Sequence, residues 1–422
     1  MNRLSTLGAL IAGAILLAAF YGTAFGEKSI SAQIDFDDGE GVRHITNGDR
    51  GSFSLRKEGL SIKAVWRGSY TLNAAGDDIA SLDNKLEIIR EIDGDEEKVV
   101  FERDGGEVAR SYYRGGDKRE DSAETAAAIR TLLVAYLDAS GAKAKERVAI
   151  FLREGGPAAV IAKIDAIAGD HARQRYVTEL TEQADMNASE MESLLAAVKK
   201  FESDHDLRVA LDSILEHETV DPAQMPLFLS AAKRIESDYD LRRLIESVSE
   251  KSLNEDAVTL AIELMQQLES DHDLRRAGEA LLTQDGLTAA AATRLLDTIG
   301  DRIESDHDLR LLLAATTPFL AQGDAPAAAW IKAFSALESS HDRRLALEGA
   351  AAEKALPESV IASLIDATAT IESDHDRRLA LESYSTLAKK DGALRDAYAR
   401  AAQSIESDSD RKRALAAADL GD

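Results

Sequence analysis

Histidine and aspartate stand side by side at one point of a repeated octapeptide, which is where metal or acid–base chemistry would first be sought. IESDHDLR runs from Ile303 to Arg310; FESDHDLR begins at Phe201, IESDYDLR at Ile235, LESDHDLR at Leu268, LESSHDRR at Leu337, IESDHDRR at Ile371 and IESDSDRK at Ile405. The candidate metal ligands are therefore His205 with Asp206, His272 with Asp273, His307 with Asp308, His341 with Asp342, and His375 with Asp376. A decayed copy upstream, IAGDHARQR from Ile167, adds His171, so that six of the eight histidines hold one repeat position. Imidazole and carboxylate both bind zinc, but each ligand must come within about 2 Å of the ion, whereas packed helices lie about 8–10 Å apart. Tyr239 and Ser409 also replace the histidine in two otherwise intact copies. The competing expectation is structural: the imidazole packs against the next copy or hydrogen bonds along its own turn.

The rest of the octapeptide is a helix start. Ser203, Ser237, Ser270, Ser305, Ser373 and Ser407 each stand three residues before an acid, the spacing of a capping box with Asp in place of the usual Glu or Gln. Asp204 and its equivalents put negative charge at the positive end of the helix dipole. Arg208, four residues after Asp204, is expected to close an i,i+4 ion pair with it.

The elements that must position these residues follow from the spacing. Successive copies open at 201, 235, 268, 303, 337, 371 and 405, a period that marks stacked units of one supersecondary motif. Each unit holds two amphipathic stripes at helical spacing, such as Leu207, Ala210, Leu211, Ile214 and Ala257, Ala261, Leu264, Leu268. Neither stripe can bury itself alone. The expected fold is mainly α: an α-solenoid of helix hairpins of about 34 residues, HEAT- or TPR-like in architecture, over residues 201–422.

Residues 121–200 read as capping helices and a degenerate first repeat, with Gly155 and Gly156 ending one helix and Pro157 opening the next. Residues 27–120 alternate instead with period two, in Ile30 to Phe36, Leu60 to Ala64, LEIIREI, KVVFE and VARSYY, between Gly- and Asp-rich turns. That pattern predicts a small antiparallel β-domain of about six strands. DFDDGEG at Asp35 to Gly41 is expected to be a hairpin turn rather than a calcium loop. Residues 1–26, with Arg3, an apolar run from Leu7 to Phe20 and small residues up to Gly26, match a signal peptide or an uncleaved N-terminal anchor.

Composition excludes several classes of function. No cysteine is present, so thiolate metal sites, cysteine catalysis and disulfides are out of reach. The formal net charge is −26; removing residues 1–26 takes away only Arg3 and leaves −27. Nucleic acid and anionic lipid both call for basic patches, so a nucleic-acid partner is not expected, and membrane contact is expected only through a retained N-terminal segment. HExxH, GxSxG, GxxxxGK and a complete DxDxDG loop are all missing, and neither an enzyme nor a cofactor is expected.

The order GDDIASLDNKLEIIREIDGDEEKVVFERDGGEVARSYYRGGDKRE, then REGGPAAVIAKIDAIAGDHARQRY, then the SDHDLRR repeats resembles a group of uncharacterised bacterial envelope proteins. They are related to the C-terminal extensions of antirepressor-type membrane metallopeptidases of beta-lactam signalling. The resemblance runs from about Asp77 to the C-terminus and omits the peptidase part. It implies an extracytoplasmic sensing or docking module in the periplasm or on the outer face of the cytoplasmic membrane. The expected function is a non-enzymatic interaction scaffold for an envelope protein or peptide; the alternative is a sensor of cations or small ligands that uses the Asp/His turn edge.

Overall fold

The computed structural model describes residues 30–37, 40–57, 59–217, 220–221, 223–284, 286–389 and 392–420. The signal peptide or anchor expected at residues 1–26 lies outside the described residues. Among these, no helix is long and apolar enough to cross a membrane. The protein is mainly helical, with an antiparallel sheet preceding the helices, and it divides into two compact units, Met1–Ser193 and Leu194–Asp422.

The first unit contains strands β1 (Ile30–Asp37), β2 (Glu40–Asn47), β3 (Arg50–Lys57), β4 (Leu60–Arg67), β5 (Tyr70–Leu72), β6 (Ile79–Leu82), β7 (Lys85–Ile92), β8 (Asp95–Asp104), β9 (Glu107–Arg114) and β10 (Asp117–Lys118). Eight of them form one antiparallel sheet in the order β1-β2-β3-β4-β7-β8-β9-β10, and β5 and β6 make a separate ribbon. The sheet is thus larger than the small, roughly six-stranded domain that the alternation predicts. Alternation misses the short β5, β6 and β10 and, of the long strands, β2 and β3. GVRHITN and GSFSLRK carry few apolar residues and abut Gly48 and Asp49, so they look like turn sequence. Backbone pairing decides otherwise, because an antiparallel ladder needs only one face with packing partners. In β1 and β2, Asp37 pairs with Glu40, which frames the connection inside DFDDGEG.

One face of the sheet is buried. Phe53, Ile62, Leu86, Ile88, Val99 and Phe101 pack against Ile129, Leu132, Leu133, Tyr136 and Leu137 of helix α1 (Ala123–Ser140). The helix starts at Ser122, whose side chain accepts the Thr125 N–H, and ends at Gly141 with φ 64°, the left-handed position that glycine adopts without a Cβ clash. The first helix of the stretch expected to cap the repeats therefore closes the core of the sheet. Next come α2 (Ala144–Ala166), α3 (Asp170–Gln183) and α4 (Ala188–Val198). Gly155 (φ −156°, ψ 17°) and Gly156 (φ 67°, ψ −165°) break α2, so Pro157 opens a new first turn where its missing N–H costs nothing.

In the second unit, the octapeptides open α5 (Asp204–His217), α7 (Asp238–Ser249), α9 (Asp271–Leu282), α11 (Asp306–Thr316), α13 (Ser340–Ala351), α15 (Asp374–Glu382) and α18 (Asp408–Ala417). Between them lie α6 (Met225–Ala232), α8 (Glu255–Leu264), α10 (Ala289–Ile299), α12 (Asp324–Phe334), α14 (Glu358–Thr368), the short α16 (Ser385–Ala388) and α17 (Gly392–Gln403). Each octapeptide helix packs on the next octapeptide helix, and the intervening helices pack on one another in a second row. The residue leading each copy, from Phe201 to Ile405, is at most 3% exposed and anchors its turn in the core.

His44 of β2 sits on the buried face of the sheet, edge-on to Phe53 at 6.1 Å and to Trp66 at 5.6 Å. Burial first, and then the charges of Arg175 and His171, lower its pKa to about 4. The folded state therefore keeps His44 neutral at a pH where the unfolded chain binds a proton. Stability from this residue is full above its ordinary value of 6.5 and is lost as pH falls from there toward about 4. Thermal melts of the protein and of His44→Phe across that window should show a shallower acid decline in the variant, and equal slopes would refute the assignment.

Candidate functional site

Each octapeptide serine caps its helix. The N–H groups of Asp206, Asp240, Asp273, Asp308, Asp376 and Asp410 donate to Ser203, Ser237, Ser270, Ser305, Ser373 and Ser407 at 3.3–3.4 Å, and Ser339 caps α13 in the same way for Asp342, at 3.2 Å. The reciprocal half of a capping box, a contact to the serine's own N–H, comes from the preceding repeat. Asp204 Oδ2 accepts the Ser237 N–H at 2.7 Å, Asp238 that of Ser270 at 2.6 Å, Asp271 that of Ser305 at 2.7 Å, Asp306 that of Ser339 at 2.8 Å and Asp374 that of Ser407 at 2.7 Å. Where this acid is replaced by Ser340, the hydroxyl accepts the Ser373 N–H at 3.2 Å.

The arginine is the hub of the motif, and its partner is not the one its local spacing predicts. Arg208 does not pair back to Asp204. Its Nε donates to Asp240 of the next copy, as Arg242 does to Asp273, Arg275 to Asp308, Arg310 to Asp342, Arg344 to Asp376 and Arg378 to Asp410, all at 2.5–2.9 Å. In five of these six copies Nη1 also grips an acid four residues on: Asp212, Glu246, Glu279, Glu348 or Glu382, at 2.7–2.9 Å. At Arg310 that position is Ala314. The guanidinium fork thus staples two repeats and its own helix at once, which a lysine point charge cannot do.

The histidines lie on the exposed edge of this staple. Nδ1 of His205, His272, His307, His341 and His375 lies 3.1–3.4 Å from Nη2 of the arginine three residues on. Arginine only donates, so Nδ1 must be the acceptor and the neutral ring carries its proton on Nε2. Tyr239 replaces this contact with its ring face, 5.2 Å from the Arg242 guanidinium, and Ser409 stands in the copy where Lys412 occupies the arginine position. His205 also has Asp240 Oδ1 at 3.9 Å. Among the described residues, no three His, Asp or Glu side chains converge where they could hold a metal ion. The candidate pairs are instead drawn apart: each histidine toward its own arginine, and Asp273, Asp308, Asp342 and Asp376 toward the arginine of the preceding repeat. Asp206 is buried at 6% exposure.

One stretch departs from the pattern. The residue after the stapling arginine is Val209, Leu311, Leu345 or Leu379 in four copies, but Arg243 and Arg276 in two adjacent ones. Arg243 and Arg276 donate to Glu246 at 3.3 and 3.0 Å while keeping 51% and 47% of their side-chain surface exposed. Burial works to raise the pKa of Glu246, but hydrogen bonds from Arg276 and Arg242 outweigh it and hold the carboxyl below its ordinary value. Around them opens a groove of about 790 Å³, also lined by Ser247, Lys251, Glu279 and Gln284. Two half-exposed guanidinium groups there can receive a carboxylate or another acceptor.

No protein-family model and no curated protein matches the chain. Among solved structures, one titled "Computational Design of Self-Assembling Cyclic Protein Homooligomers" matches 68% of this chain and 91% of its own, with 17% identity and a TM-score of 0.14. A likeness at that score carries no argument.

Arg275 and Asp308 are 12% and 16% exposed. Burial tends to raise the pKa of Asp308, but its bonds from Arg275 and Ser305 prevail and lower it. Arg275→Ala strips three contacts and leaves Asp308 without the staple, at an expected cost of about 2 kcal/mol, and Arg275→Lys should recover less than half of the loss. Because the lowered carboxyl stabilises the fold above its unfolded pKa and loses that contribution as pH falls, the gap between the protein and Arg275→Ala should narrow in acid. Urea titrations at neutral and acidic pH measure both, and a pH-independent gap would show that the loss is packing alone.

Proposed function

We propose that the helical unit is an α-solenoid of HEAT/TPR-like hairpins and that the protein is a non-enzymatic docking scaffold of the bacterial cell envelope. Its partner is a protein or peptide that presents an acidic or hydrogen-bonding group to the groove around Arg243 and Arg276. The observation that carries this reading is the break in the repeat. Most polar side chains of the turn are consumed in joining one copy to the next, whereas these two adjacent copies exchange an aliphatic position for a half-exposed arginine. Extended stacks of helix pairs offer broad surfaces for such docking, an analogy of architecture. The leader expected at residues 1–26 would deliver the chain to the periplasm or to the outer face of the cytoplasmic membrane.

Affinity capture from native envelope extract, with the full chain as bait and Arg243→Ser/Arg276→Ser as a second bait of matched melting temperature, tests the proposal. One protein enriched by the unaltered chain and reduced at least tenfold by the double variant is the expected result. No enrichment at low salt, or enrichment that the variant leaves unchanged, would overturn it.

A further inference from the structure

Across β2, β3 and β4 the outer face of the sheet carries charge of the opposite sign to the chain as a whole. Successive strand residues point to opposite faces, so the register settles which residues share a surface. Phe53 pairs with Ala64 on the face that α1 covers, while Ser52 pairs with Val65 and Ser54 with Lys63 on the other. By the same register Arg43 of β2, Arg50 and Arg56 of β3, and Lys63 and Arg67 of β4 belong to the outer face. All five are exposed, and no acidic residue occupies an outward position of β2, β3 or β4. Arg50 lies directly across from Arg67, and Arg67 directly across from Lys85. Like charges placed directly opposite destabilise a sheet. Lys85 is already paired with Glu87 and Glu102, at 3.2 and 3.3 Å, so the excess of cations is confined to β2, β3 and β4; in a chain with 76 acidic and 50 basic residues it fits an anionic counterpart outside the fold.

Two further features specify the counterpart. Ile45 and Val65, the latter 54% exposed, share this face. The apolar run Leu7 to Phe20 ends ten residues before Ile30, a span of at most about 36 Å of extended chain. Cations mixed with aliphatic residues, on a sheet whose first strand begins this close in sequence to an apolar segment, match the boundary between lipid headgroups and acyl chains. We propose that this face docks on an anionic lipid surface. The guanidinium and ammonium groups meet lipid phosphates, and the aliphatic positions lie at headgroup level. The proposal concerns a surface separate from the groove around Arg243 and Arg276 and does not depend on it.

Co-sedimentation of the full-length protein with phosphatidylcholine vesicles, with and without phosphatidylglycerol, tests it. Binding should be roughly tenfold or more tighter on the anionic vesicles and should weaken with salt. Arg50→Ser/Arg67→Ser should remove most of that preference, as should Arg43→Ser/Lys63→Ser, a second variant that leaves the cross-strand cation pair intact. Arg400→Ser/Arg413→Ser, on the helical unit, should retain it. Equal binding to both vesicle types, or an undiminished preference in both sheet variants, would overturn the proposal. Binding to heparin or an acidic peptide without any preference for anionic vesicles would also overturn it and assign the face to a soluble polyanion.

Discussion

The helical unit depends on a guanidinium group held between two helices of neighbouring copies. Taking arginine and aspartate out of water costs several kcal/mol per ion, and the attraction between them offsets this only when the geometry is nearly fully satisfied. Here it is: Arg275 meets Asp308 through Nε, Glu279 through Nη1 and His272 through Nη2, so most of the fork is occupied. A staple of this kind contributes less to net stability than to register. Sliding one helix along its neighbour would leave buried charges unmatched, whereas a purely apolar seam of leucine and alanine would tolerate the slip.

The aspartates divide the remaining work. The first acid of the octapeptide reaches the N–H of the next turn, and the second receives the preceding arginine, so five of the six junctions between copies carry two charge-assisted contacts, the exception being the one where Ser340 replaces the acid. Buried apolar residues, Ile235 and Leu268 among them, fix the depth of each turn, and the polar ties fix its lateral position. An eight-residue motif recurs because every copy must both receive and donate the same contacts. His205 and Tyr239 show how loosely the outermost position is constrained, since an imidazole nitrogen and an aromatic face both lie against a guanidinium. Arg243 and Arg276 show the opposite, a departure in an array that otherwise repeats its contacts closely.

The sheet follows a different logic. Its covered face is largely apolar but also carries His44, which burial and nearby cations keep neutral, and the Arg90–Glu97 ion pair, to which Tyr112 donates at 2.5 Å; its outer face places Arg50 opposite Arg67 and Arg67 opposite Lys85. Global charge does not forecast local charge: a strongly acidic chain can still present a basic surface when alternation sends one set of residues outward.

The period, the helix pairs, the serine caps, the break at Gly155 and Gly156 and the antiparallel character of the first unit were legible in the sequence, because each is set by local chemistry or by spacing along the chain. Capping, helical periodicity and glycine at positive φ need no knowledge of distant residues. The strands β2 and β3, the partner of each arginine and the two faces of the sheet were decided by tertiary structure. Arg208 has acids available at Asp204 and Asp212, and nothing local reveals that its Nε will turn to Asp240, 32 residues away. That choice exists only once two copies lie side by side. In the same way, GSFSLRK became a strand only when its neighbours supplied hydrogen bonds, and Arg50 met Arg67 only when register brought them level. Local propensity specifies elements, whereas pairing between distant segments specifies which side chains share a surface.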